Sequence, residues 1–110
     1  MLRDRSKGFY LLAKVRGRVA GQLMITFEWS DWRNGNFWWI QSVYVSAEFR
    51  RLGVFKNLFD EVQRRASASG KVCGLRLYVE RANRRAQKAY TGLGLRKAHY
   101  EMFERDFVLG

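Results

Sequence analysis

Proline is absent from the 110 residues and cysteine occurs once, at Cys73. A lone cysteine excludes an internal disulfide framework and a cysteine-built zinc site, and it fits a reducing compartment. No apolar run approaches the ~18 residues that cross a bilayer as a helix. Met1–Lys7 is charged and carries no apolar core, so no secretory leader is expected. Acidic residues are scarce, 10 Asp and Glu against 21 Lys and Arg, which leaves a net charge of +11. What is abundant is apolar and aromatic: 47% hydrophobic residues, with 4 Trp, 5 Tyr and 8 Phe, exclude disorder. The expectation is one cytoplasmic domain spanning residues 1–110, with no membrane association.

The basic excess favours a polyanionic partner such as nucleic acid or a phosphorylated cofactor, or else a solvated helix surface. It is uneven. Residues 1–49 hold seven basic groups against four acids, and residues 50–105 hold fourteen against five.

Three runs, Phe9–Val15, Val19–Phe27 and Phe37–Val45, read as an antiparallel meander. They are joined by the tight turn Arg16-Gly17-Arg18 and by a loop Glu28–Asn36 that contains the hairpin signal Asn34-Gly35. The period then changes. From Arg51 to Ser69, the residues Val54, Leu58, Val62 and Ala66 recur every fourth position as one helix face, closed by Gly70. Val72–Val79 alternates as a strand, and Asn83 can cap a helix whose Ala86, Ala89, Tyr90 and Leu93 share a face ending at Gly94. A last strand is expected over Ala98–Val108. A helix between the third and fourth strands implies a parallel crossover, so the class is α/β, a mixed and mostly antiparallel sheet flanked by two main helices.

Two stretches carry chemistry. In Ser46-Ala47-Glu48-Phe49-Arg50-Arg51-Leu52-Gly53-Val54-Phe55 a strand gives way to a basic loop with one glycine and then to a helix. Unpaired N–H groups at a helix start, close backbone approach at glycine and two guanidinium groups suit a phosphate. The second stretch runs from Asn83 through Ala86 and Tyr90 to Gly94. Together they resemble the GNAT superfamily of acetyl-CoA-dependent N-acetyltransferases. Its pyrophosphate loop, Gln/Arg-x-x-Gly-x-Gly/Ala, is matched by Arg50 and Gly53; its Asn-x-x-Ala-x-x-x-Tyr-x-x-x-Gly-Phe pattern is matched by Asn83, Ala86, Tyr90 and Gly94. Phe55 stands where the family has a second small residue, and Leu95 replaces the Phe. The chain also starts too late to contain the family's first strand and first two helices.

The resemblance implies acetyl-CoA as acetyl donor, a primary amine as acceptor, direct attack in a ternary complex, and no metal. Main-chain groups of Val43, Tyr44 and Val45 would pair with the pantetheine arm, the Val45 N–H polarising the thioester carbonyl. The N–H groups of Leu52, Gly53, Val54, Phe55 and Lys56, with Arg50 and Arg51, would cradle the pyrophosphate. Asn83 and Ala86 would hold the pantetheine or acyl end. Tyr90 would protonate the departing thiolate, its other role being packing on the Ala86–Leu93 face. Many family members carry a Glu on the strand that here reads Phe37–Val45, but this chain has Gln41 and no acid. Glu28 and Asp31, set between Trp29 and Trp32, are the candidates for the base and for binding a cationic amine, with an exposed hairpin loop as the alternative. His99 has a suitable intrinsic pKa for a base but stands alone in a strand, and Cys73 has no His/Asp companions for nucleophilic work.

Two other readings remain beside this one. One is a truncated acetyl-CoA-binding domain with little catalysis. The other is a basic nucleic-acid-binding module, suggested by Arg and aromatic residues interleaved over Arg76–Arg85 but unsupported by any recognised motif. The late start leaves Phe9–Val15 as an apolar edge strand, which predicts a homodimer that covers it.

Overall fold

The computed structural model describes residues 6–109; most of the Met1–Lys7 stretch read above lies outside them. The chain divides into two compact units, Met1–Tyr78 and Val79–Gly110.

The first unit is built on a four-stranded sheet in the order β1-β2-β3-β4. β1 (Gly8–Val15) and β2 (Arg18–Ser30) form a hairpin closed by Arg16 and Gly17, both with positive φ, as a two-residue turn of right-handed twist requires. β2 continues past the expected Phe27 and pairs through Ser30↔Gly35 with β3 (Gly35–Val45). The expected loop Glu28–Asn36 is therefore wrong in extent. The turn is confined to 31–34, closed by Asn34 N–H to Asp31 C=O at 3.3 Å, with Asn34 at φ 49. Glu28 and Trp29 sit on a strand, where alternation sends them to opposite faces.

A short 3-10 turn, Ala47–Phe49, leads to α1 (Val54–Ser69). The helix starts three residues later than the expected Arg51, because Arg51 (φ 69) and Gly53 (φ 77) are left-handed and cannot belong to a right-handed helix. Its buried face is Val54, Leu58, Val62 and Ala66, as the fourfold spacing indicates, together with Phe59 at 1% exposure. That face packs on Leu11, Leu23, Ile25 and Ile40 of the sheet, and each large apolar side chain so buried contributes about 1.5–3 kcal/mol. Phe9, Phe27 and Trp38 extend this layer as an aromatic cluster with centroids 5.1–6.0 Å apart. Gly70, at φ 70, ends the helix.

β4 (Val72–Arg76) runs parallel to β3, the crossover expected from the intervening helix. It ends at Arg76 rather than Val79. Its partner explains this: the pairing reaches Trp39↔Arg76, after which β3 bulges at Ser42 (φ 51), with two residues opposite Leu23 of β2.

In the second unit α2 (Arg84–Gly92) is capped by Asn83, whose Oδ1 accepts from Ala86 N–H at 3.1 Å. Ala86, Tyr90 and Leu93 are half-buried and Ala89 is exposed. The expected strand over Ala98–Val108 does not form. Phe103, Phe107 and Val108 are at least 90% exposed, and Asp106 folds its carboxylate back onto the N–H groups of Val108 and Leu109 as a turn. Ala98, Tyr100 and Met102 alternate, but Phe103, Phe107 and Val108 break the period, so one strand face does not run through the segment. His99, placed by the sequence in that strand, is exposed with its ring 4.4 Å from that of Tyr100.

Candidate active site

The end of β3 is open on one side. β2 accompanies it to Val45, whereas β4 leaves it at Trp39. Antiparallel pairs alternate between hydrogen-bonded and non-bonded registers. Ser46 N–H donates to Ala20 C=O at 2.8 Å, so the preceding pair, Val45 with Gly21, is a non-bonded one. The N–H and C=O of Val45 therefore point away from β2, toward the gap. The carbonyl is met there by Arg50, whose Nε donates to it at 3.3 Å. Arg50 is thus tied to the strand end, and its two terminal nitrogens remain as donors for an anion.

α1 begins beside this gap because Gly21 lets it. A Cβ on Gly21 would lie 2.8 Å from Val54 Cγ1 and 3.0 Å from Tyr44 O, so only glycine admits the helix start so close to the sheet. The first helical N–H groups lack intrahelical acceptors, and Gly53 has nothing within 4 Å of where a side chain would be. A concavity of about 260 Å³ forms here, lined by Val45, Phe49, Arg50, Arg51, Gly53, Val54, Phe55 and Lys56. Seven of these were singled out by the sequence; Phe49, at the end of the 3-10 turn, was not. Leu52 is 63% exposed and outside the lining, and Val43 and Tyr44 are exposed on the strand just before it. Lys56 pairs with Asp60 at 2.9 Å on the exposed side of the helix start. Phe55 turns its ring to Phe59, centroids 6.2 Å apart. The donor set suits a diphosphate: main-chain N–H groups at a helix start, a glycine without cover and two guanidinium groups.

Asn83, Ala86 and Tyr90 lie together in the second unit, Ala86 and Tyr90 on one face of α2. The capping bond uses the carbonyl oxygen of Asn83 and leaves its NH₂ as a donor.

The residues expected to meet the acceptor separate into two groups. Glu28 shares a sheet face with Trp39 and Gln41, as the pairings Thr26↔Trp39 and Glu28↔Phe37 require. Its Oε1 accepts from Trp39 Nε1 and from Arg76 Nη1, each at 3.0 Å. Arg76 lies over the Phe37 ring at 3.5 Å, and Trp39 stacks on Tyr78 at 4.4 Å. Gln41 donates to Thr26 Oγ1 across the strands. Asp31, by contrast, sits in the turn and accepts from Trp29 Nε1 at 3.5 Å, while Trp32 is 93% exposed. Two carboxylates between two tryptophans do not form a box. Trp39 and Arg76 are the residues that sequence reasoning missed. Their signal was an arginine in mid-strand, which needs a same-face partner, but the register that supplies it is not written in the sequence. Cys73 is exposed on β4, and among the described residues no cluster of His, Cys, Asp or Glu could hold a metal.

A mixed sheet that opens beside a parallel crossover, with a helix start and arginines at the opening, defines an α/β protein whose strand opening has room and donors for an extended, anionic ligand. The chain belongs to the GNAT acetyltransferase family, whose profile matches residues 1–95. Among solved structures it is similar to a protein from Clostridium difficile 630 described as a possible acetyltransferase, at 44% identity over 96% of this chain and 69% of that one, with a TM-score of 0.89. A ribosomal-protein-alanine N-acetyltransferase from Brucella melitensis biovar Abortus 2308 has the same fold at 19% identity, covering 94% of this chain and 73% of its own, TM-score 0.79. So has an aminoglycoside N-acetyltransferase in complex with CoA, at 20% identity, 91% and 76% coverage, and TM-score 0.73. A search of curated proteins found no significant match. Membership of an acetyltransferase family and the mixed α/β fold agree with the reading of the two motifs.

Proposed function

We propose that this chain transfers an acetyl group from acetyl-CoA to a primary amine by direct attack within a ternary complex. The observation that carries the reading is the open end of β3, where Val45 turns its peptide groups out of the sheet beside the uncovered start of α1. Acetyl-CoA supplies an electrophilic thioester carbonyl and a thiolate leaving group. Val43–Val45 hold the pantetheine arm as an added strand, and the thioester lies beyond them toward Trp39 rather than on the Val45 N–H, because Val45 lines the concavity at the helix start that takes the pyrophosphate. The N–H groups of 52–56, with Arg50 and Arg51, hold the pyrophosphate; the motif on α2 gives Asn83 and Ala86 a part in binding the pantetheine or acyl end. Glu28 takes the proton that the attacking amine loses, and Tyr90 gives one to the sulfur as the carbon–sulfur bond breaks. The face bearing Glu28, Trp39 and Gln41 receives the acceptor. Kanamycin, spermidine and a peptide with N-terminal alanine are the first acceptors to try.

Tyr90→Phe tests the reading. It keeps the ring and removes the proton donor, so kcat falls by about 10²- to 10⁴-fold while CoA affinity measured by calorimetry is unchanged. An equal loss of affinity makes Tyr90 a packing residue and removes it from the reaction. Stabilisation by an oligonucleotide and not by acetyl-CoA, lost steeply with salt, overturns the enzyme reading altogether.

A second copy of the chain is the natural cover for β1. Among the described residues β1 has β2 as its one strand partner, and Tyr10 and Leu12 on it are 42% and 54% exposed. An edge strand that leaves Leu12 exposed on an apolar face suits a symmetry copy of itself.

A further inference from the structure

The family's frequent carboxylate on β3 is missing here, and Glu28 reaches β3 from the neighbouring strand instead. A carboxylate on such a lever must be held still to accept a proton from a particular atom. Oε1 of Glu28 is fixed by two donors from two different strands, Trp39 of β3 and Arg76 of β4, both at 3.0 Å. Among the described residues, no donor engages Oε2. Arg76 is itself held, its guanidinium lying over the Phe37 ring at 3.5 Å. Phe37 in turn reaches across to β4, where a Cβ on Gly74 would come within 2.7 Å of its ring. The backbone therefore fixes the ring, the ring fixes Arg76, and Arg76 fixes Glu28.

We propose that Arg76 is a positioning residue that, with the indole N–H of Trp39, locks one oxygen of Glu28 and presents the other to the acceptor amine. The inference rests on the acetyl-transfer reading above and adds to it the two residues through which the base acts. When the nitrogen–carbon bond forms, the proton leaving the nitrogen passes to Oε2 of Glu28, and the electron pair of the broken carbon–sulfur bond stays on the sulfur, which Tyr90 protonates. Arg76 touches neither the acceptor nor CoA in this scheme. The Trp39–Tyr78 stack stands beside it as an apolar wall.

The test is a double-mutant cycle of Glu28→Gln and Arg76→Gln, with steady-state kinetics on whichever of kanamycin, spermidine or the alanyl peptide the wild-type protein acetylates. Arg76→Gln is expected to lower kcat by about 10- to 100-fold, with the KM for acetyl-CoA and its calorimetric affinity unchanged. The double variant is expected to be no slower than Glu28→Gln alone, because Arg76 has nothing left to position. Arg76→Lys, which keeps the charge and one donor, recovers part of the loss. Trp39→Phe, which keeps the stack and removes only the N–H, repeats the pattern on a milder scale and serves if Arg76→Gln does not fold. Losses that multiply in the double variant, or an Arg76→Gln enzyme with wild-type kcat, overturn the inference while leaving the acetyl-transfer reading intact. A wild-type protein that binds acetyl-CoA and releases no CoA with any of the three amines overturns that reading, and this inference with it.

Discussion

Replacing Gly21 by alanine isolates the contact that places the helix start at the strand opening. The added Cβ would meet Val54 Cγ1 at 2.8 Å and the carbonyl oxygen of Tyr44 at 3.0 Å. Carbon atoms pack comfortably at about 3.5–4.0 Å, so Val54 must retreat by roughly 0.7–1.2 Å. Val54 has a stiff, branched side chain at the first position of α1, and Tyr44 is main chain, so neither yields without moving the helix start or the strand end. Overpacking of this kind costs about 1–3 kcal/mol, a fall of roughly 5–20 °C in Tm for a domain of this size. The displaced parts are also those proposed to face the CoA diphosphate, so the expected CoA affinity drops by about tenfold for each 1.4 kcal/mol of lost contact. Thermal denaturation and calorimetric titration with CoA measure the two effects on one protein. Gly92→Ala in α2, with nothing within 4 Å of the new atom, is the matched control and is not destabilised. A Gly21→Ala protein with wild-type Tm and wild-type CoA affinity refutes the close-approach argument.

Arg51→Gly separates charge from conformation. Arg51 holds φ 69, where glycine is unstrained, so the variant gains up to about 1 kcal/mol of stability in denaturant titration. It binds CoA more weakly and with a shallower salt dependence, since a cation is lost from the concavity. Glu61 gives a pH signature. Hydrogen bonds from Arg64 and then Arg65 hold its carboxyl at about 2, below its usual 4.5, so the bonds' contribution is complete above 4.5 and is lost as pH falls through 2. The ion pairs are exposed and the effect is small. Urea midpoints measured between those pH values should decline less steeply in Glu61→Gln than in the parent. Leu12→Lys places a charge on the exposed face of β1, so the dimer proposed to form through that strand gives way to monomer in solution scattering; a wild-type monomer at micromolar concentration refutes the second-copy cover.

Helices and most strands were legible because their signals are local. The fourfold spacing of Val54, Leu58, Val62 and Ala66 states both the helix and its buried face, and Arg16-Gly17 and Asn34 mark their turns by the positive φ they accept. That the residues from Arg50 to Lys56 gather at one concavity was legible for the same reason, since they are nearly consecutive and lie where a strand gives way to a helix. The acceptor side was not. Glu28 was assigned to a loop with Asp31, although ladder pairing through Ser30↔Gly35 extends β2 beneath it and turns it toward Arg76, 48 residues away. The last strand failed for a related reason: Ala98–Val108 has apolar residues in plenty, but a strand is specified by ladder pairing, and among the described residues no strand pairs with that segment.

The sequence by itself determined where most of the chain turns, which helix face is apolar, which glycine and arginines gather at the helix start, and to which family the chain belongs. Those properties follow from steric preferences and periodicities that act over a few residues. Only the tertiary structure decided how far β4 accompanies β3, that Gly21 brings α1 to the resulting gap, and that the surplus of basic residues includes one arginine holding one of the scarce acids. Each depends on strand register, and shifting a register by one residue reverses every face it pairs.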